Sequence, residues 1–213
     1  MVRVLCLPGW ATNTEVFNYQ IAALRKAFAR DIEFVVLQGP VDVPLQTDTV
    51  LQQRFKGKFY AWHNTIRMKL SETKTEVMLV GLEQSLELIQ KHLNSNPPYD
   101  GIMGFSQGAA IAAWVLSLQN AGYLPGSFQF AVFISPGFFP SNNLAMYIPR
   151  NVSTYFFVGQ EDLFVPLTAL LARCFRSPRI LIHKEGHKFP RLTPEVVAVW
   201  KSIIESSKAQ PKL

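Results

Sequence analysis

The sequence predicts an α/β fold, a mostly parallel, doubly wound sheet of about six strands with helices on both faces. Two observations carry this expectation. Short apolar runs alternate with helical patterns along the chain. The 213 residues, 48% hydrophobic and 17% charged, fit one globular domain spanning 1–213, with a core that needs no disulfide or metal. Internal repeats and low-complexity tracts are absent.

The elements follow in order. Val2 to Leu7 is an apolar run of strand length, Phe17 to Phe28 is amphipathic at helical spacing, and Glu33 to Leu37 is a second strand. Residues 39–75 are too long for an ordinary strand-to-helix connection and carry Phe55, Phe59, Tyr60 and Trp62, so they are expected to form a partial cap or an ordered long loop. The alternation resumes with a helix over Glu76 to Leu93, a strand over Tyr99 to Phe105 and an Ala-rich helix over Gln107 to Leu118. Three strands follow, near Phe128 to Ile134, Thr154 to Val158 and Arg179 to His183, with helices near Leu167 to Cys174 and Pro194 to Ser206.

Composition narrows the function classes. No apolar run approaches the roughly 20 residues of a membrane span, so stable membrane insertion is not expected. The net charge of +6 is spread along the chain without a nucleic-acid module, and the basic, aromatic stretch Arg54 to Tyr60 reads as a solvated loop or a site for anionic or apolar substrates. Cys6 and Cys174 fall in apolar segments and read as two free core thiols. Met1 to Leu7 resembles an export signal only superficially, and the cytoplasm is the expected location. The ending Pro211-Lys212-Leu213 lacks the first residue of the peroxisomal address Ser-Lys-Leu and is read as chance.

The chemistry centres on Gly104-Phe105-Ser106-Gln107-Gly108. A strand runs into this motif and a helix of small residues runs out, the setting of a nucleophile elbow. The turn forces Ser106 into a strained conformation, while Gly104 and Gly108 omit side chains that would collide where strand and helix converge. The simpler role for Ser106 is a helix N-cap.

A serine nucleophile needs a base, and the base needs an acid, in the chain order Ser, acid, His. Only His183 and His187 follow Ser106. His183 lies within a strand and His187 in the turn beyond it, so His187 is the candidate base. The carboxylates between are Glu161, Asp162 and Glu185. Glu185 is too near His187 in sequence to sit behind its ring. Asp162, just past a strand end, is the better choice, with Glu161 as the alternative. For the oxyanion, the candidate backbone donors are Gln107 N–H and, from the loop after the first strand, Trp10 N–H; Pro8 has none to give. The histidines and cysteines lack zinc-ligand spacing, so neither metal nor organic cofactor is expected.

These residues sit in longer stretches: Leu5 to Gly9, Tyr99 to Ala109, Ser135 to Phe138, Val158 to Asp162 through Pro166, and Glu185 to Pro190. In them the chain resembles the FSH-type family of serine hydrolases, and more distantly acyl-protein thioesterases and small carboxylesterases. The resemblance implies a compact α/β-hydrolase that cleaves esters, sometimes thioesters, of fatty or polyketide acyl groups, with Ser106, Asp162 and His187 at the family triad. It departs at Pro8, where members usually carry a histidine outside the triad, a change that bears on the oxyanion loop.

Substrate contact is expected from an aromatic cluster of Phe17, Phe59, Trp62, Phe138, Phe139 and Phe164, with Trp10, which suits an apolar acyl chain. The leading expectation is hydrolysis of medium- or long-chain acyl esters. The alternatives are a thioesterase acting on acyl-CoA or acyl-protein, a lyase or carbon–carbon hydrolase using the same triad, and a non-catalytic binding protein on the same fold.

Overall fold

The computed structural model describes residues 1–43, 53–69, 71, 75–96, 98–137 and 151–209. Its centre is a six-stranded sheet. In chain order the strands are β1 (Val2–Leu7), β2 (Ile32–Val36), β7 (Gly101–Phe105), β8 (Phe130–Ile134), β9 (Ser153–Gly159) and β10 (Arg179–His183), paired in the spatial order β10-β9-β8-β7-β1-β2. Every pairing is parallel.

Strand residues are buried on alternating faces, which divides the core in two. Leu5, Leu7, Ile102, Phe133, Phe156 and Val158 pack on one side with α3 (Leu82–Ser95), α4 (Gln107–Asn120) and α5 (Val165–Ala172). Val4, Cys6, Met103, Phe105, Val132 and Phe157 pack on the other with α1 (Thr14–Gln20), α2 (Ala22–Ala27) and α6 (Pro194–Ala209). Trp200 of α6 fills that second layer, packing against Phe28 and Phe34.

Several expected elements differ. The helix over Phe17 to Phe28 is two helices meeting at Ile21, whose backbone (φ −95°, ψ 8°) leaves the helical range. The helix expected from Glu76 begins only at Leu82. Thr75–Val80 is instead β6, antiparallel to β5 (Asn64–Lys69), because Val77 and Val80 favour an extended chain and Gly81 turns it with φ +89°. Segment 39–75 also holds β3 (Val41–Val43) and β4 (Phe59–Ala61), an antiparallel pair, with part of the segment outside the described residues. Cys6 is buried, and burial pushes its thiol pKa up. Cys174 is exposed, not a core thiol, since it follows α5 on the outward side.

Sequential strands β7, β8, β9 and β10 step outward on one side of the switch between β1 and β7, so their C-terminal ends share one edge. There the end of β9 meets the turn after β10. A side chain on Gly159 would run into the backbone carbonyls of Glu185 and Gly186, which cannot swing away as a flexible side chain would. Gly159→Ala is therefore expected to lower stability by about 1–3 kcal/mol in urea unfolding. Unchanged stability would contradict this close packing.

Candidate active site

Ser106 joins β7 to α4 with φ 53° and ψ −117°, a backbone conformation that L-residues avoid. A Cβ on Gly104 would strike the Ala109 backbone, and one on Gly108 the carbonyls of Leu7 and Pro8. The turn is closed by Ser106 N–H donating to Ile134 O (3.0 Å) and Gly137 N–H donating to Ser106 O (3.0 Å). Strain gathers at this edge of the sheet: Ala11, Ser106 and Ser135, all with positive φ, follow β1, β7 and β8.

His187 and Asp162 reach Ser106 from the turns after β10 and β9. His187 Nε2 lies 2.9 Å from Ser106 Oγ, and His187 Nδ1 lies 3.0 Å from Asp162 Oδ2. Burial works to raise the Asp162 pKa, but the Phe164 N–H (2.9 Å), the Ser135 hydroxyl and His187 outweigh it and hold the carboxyl below its ordinary value. A charged Asp162 accepts a hydrogen bond from the Nδ1–H, which leaves the Nε2 lone pair facing the serine hydroxyl. Glu161 is exposed, and Glu185 instead pairs with His183 (2.9 Å) and Arg191 (3.1 Å), bracing the base of the His187 turn.

The three side chains open into a cavity of about 1090 Å³. Trp10, Phe105, Phe164 and Phe189 give it apolar walls; Gln20, His63, Asn64, Thr65 and the exposed Lys188 supply polar ones. The rings of Phe105 and Phe164 each stand 5.0 Å from the His187 imidazole, keeping bulk water off two of its sides.

Of the aromatic residues expected to meet substrate, Phe164 lines this cavity, as does the half-exposed Trp10. Phe17, Phe59 and Trp62 do not: each is at most 1% exposed. Phe17 lies in the core beneath Phe189, where their rings meet edge to face, and Phe59 packs with Val16 and Phe55. Trp62 packs in the core, where its Nε1–H donates to Pro8 O (2.8 Å), tying segment 39–75 to the loop after β1. This bond engages the carbonyl of Pro8, the residue at which the chain departs from the family pattern. Phe138 and Phe139 lie outside the described residues.

Sequence reasoning missed the Gln107 side chain. Its Oε1 accepts the Trp62 N–H (2.8 Å) and its Nε2 donates to His63 O (2.8 Å), so it stands in for a strand partner between β4 and β5. It also missed Ser135, Gly137, Lys188 and Phe189, although all four lie within the stretches that carry the family resemblance. His63, Asn64 and Thr65 had no local signal, since only the tertiary fold brings them to the cavity.

The chain matches the family described as Serine hydrolase (FSH1) over residues 1–199. It belongs to that family. Among curated relatives it is 31% identical to Esterase OVCA2 of Bos taurus, covering 94% of this chain and 95% of that protein. It is 29% identical to Esterase GA18864 of Drosophila pseudoobscura pseudoobscura, covering 89% of this chain and 66% of that longer protein. Among solved structures, Arabidopsis thaliana SOBER1 superposes with a TM-score of 0.63 at 14% identity, over 97% of this chain and 99% of that one. Esterase PE8 superposes with a TM-score of 0.59 at 17% identity, over 96% and 92%. Such distant structural likeness shows the α/β-hydrolase fold, and the family match shows a serine hydrolase.

His63 gives this family member a pH signature outside the triad. Burial pushes its pKa down from 6.5 to about 4, so the folded imidazole stays neutral where the unfolded one takes a proton. Stability should therefore fall as pH drops from 6.5 to about 4, by about 3 kcal/mol in full, and gain no further loss from His63 below that window. Asp162, with its depressed pKa, would add its own loss only at still lower pH. His63→Gln is expected to flatten the dependence of the unfolding midpoint on pH across this window; equal slopes in both proteins would contradict the assignment.

Proposed function

We propose that this serine hydrolase cleaves medium- or long-chain carboxylic acyl esters through an acyl-enzyme on Ser106. The observation that carries the reading is the continuous relay from Asp162 through His187 to Ser106, opening into a cavity with aromatic walls.

In this mechanism Ser106 Oγ attacks the ester carbonyl as His187 Nε2 takes its proton. Asp162 stabilises the imidazolium and holds its ring orientation. The tetrahedral oxyanion takes hydrogen bonds from the backbone N–H groups of Gln107 and Trp10. Gly9 and Gly137 favour this placement, because a Cβ on either would lie within 3.5 Å of Ser106 side-chain atoms, in the space the carbonyl must enter. His187 then protonates the leaving alcohol and activates the water that releases the acid. Phe164, Phe105 and Phe189 offer the acyl chain an apolar surface. The free thiols suit a reducing compartment, and the cytosol is the location we propose.

A series of soluble esters of increasing acyl length, run beside matched thioesters, tests the reading. The expected result is a kcat/KM that rises with chain length, by at most about fourfold per added methylene, and exceeds that of the thioesters. Ser106→Ala should lower kcat by about 10⁴-fold or more. A flat length dependence or a strong thioester preference would overturn the substrate assignment.

A further inference from the structure

The ribbon formed by β5 and β6 leaves the cavity wall at Asn64 and Thr65 and then stays exposed along almost its whole length. Directly opposed residues of an antiparallel pair share a face. The pairs Asn64 with Val80, Ile66 with Met78, and Met68 with Glu76 therefore put Ile66, Met68, Met78 and Val80 on one side, with Asn64 at its cavity end and Glu76 at its far end. These four are 39–47% exposed, an unusual concentration of large apolar side chains in water. The opposite face carries the cations Arg67 and Lys69 with Thr65 and Thr75, and only Val77 and Leu79 are apolar there. A third cation, Lys188, is exposed at the cavity itself.

We propose that this amphipathic ribbon docks the protein, peripherally, on an anionic lipid surface beside the mouth of the cavity. Area and charge favour this occupant over a second copy of the chain. Six residues per strand at about 3.4 Å each, across two strands, give a face of roughly 200 Å², far below the roughly 800 Å² per partner that a stable protein interface buries. Charge points the same way. The chain carries net +6, and the described residues of the two strands hold two cations, Arg67 and Lys69, against one acid, Glu76 on the other face, so two copies would repel where an anionic surface attracts. A modest apolar face with cations close by is what an anionic bilayer retains, since its affinity grows additively from small apolar and electrostatic contributions and requires no minimum contact area.

Docking is a binding event, and its test does not depend on the ester-hydrolase reading. Sedimentation of the full chain with phosphatidylcholine vesicles, and with vesicles of equal parts phosphatidylcholine and phosphatidylserine, measures it directly. The expected result is binding to the phosphatidylserine-containing vesicles, weakened by added salt and about tenfold weaker on phosphatidylcholine alone. Ile66→Asp with Met78→Asp should lower the partition about tenfold or more, as should Arg67→Glu with Lys69→Glu. Both double variants should keep the wild-type circular-dichroism spectrum and thermal unfolding midpoint, which report that they fold; should the first pair unfold, the second, confined to charged surface residues, decides. Failure of the wild type to sediment with anionic vesicles, or binding by both variants equal to wild type, overturns the proposal. A wild-type dimer that Ile66→Asp with Met78→Asp splits in sedimentation velocity would assign the face to a second copy and overturn it too.

Discussion

The tight reversal of the backbone at Ser106 is the constraint on which the site depends. A residue at φ 53° and ψ −117° costs about 1–3 kcal/mol, and it persists only where its surroundings over-determine it. They do so here through contacts that a single methyl would break. Gly104 lets the strand meet Ala109, and Gly108 lets the start of α4 lie against the carbonyls of Leu7 and Pro8. The same approach that strains Ser106 brings the loop after β1 beside it, so the nucleophile and one proposed oxyanion donor share a single packing event.

The parallel sheet supplies the rest by repetition. Because β7, β8, β9 and β10 lie side by side in chain order, each delivers its following turn to one edge. Ser106, Ser135, Asp162 and His187 come from those four turns in succession. Ser135 and Gly137 tie the middle turn to both neighbours, one beside the Asp162 carboxylate and the other bonded to Ser106 O. Gly159 in turn admits the His187 turn. Segment 39–75 is fastened to this frame by the half-buried Gln107 amide and the buried Trp62 indole, and contributes His63, Asn64 and Thr65 to the cavity wall.

How much of this the sequence disclosed depended on the range of the signal. The six strands and the elbow were legible because apolar runs, glycine spacing and strand-to-helix transitions are local patterns. The spatial meeting of Asp162 and His187 was reachable by elimination, since few carboxylates and histidines follow Ser106. Glu76 to Val80 of β6 falls in the stretch expected to be helical, because Glu76 to Leu93 is helical in composition and only Gly81 marks the break, while β5 falls in the long segment 39–75, which carries no strand signal of its own. Phe17, Phe59 and Trp62 were placed at the substrate because aromaticity cannot distinguish a core residue from a cavity wall. That difference lies in tertiary contacts such as the bond from Trp62 to Pro8 O.

The most direct measurement is covalent labelling with a fluorophosphonate, followed by peptide mass spectrometry of wild type and Ser106→Ala. The probe reacts with a serine only where a base activates it and donors stabilise the oxyanion, so it reads the assembled site without the natural substrate. Labelling confined to Ser106 in the wild type, and absent in Ser106→Ala, is the expected result. An unlabelled wild type, or labelling that persists in the variant, would contradict the assignment of Ser106 as the nucleophile.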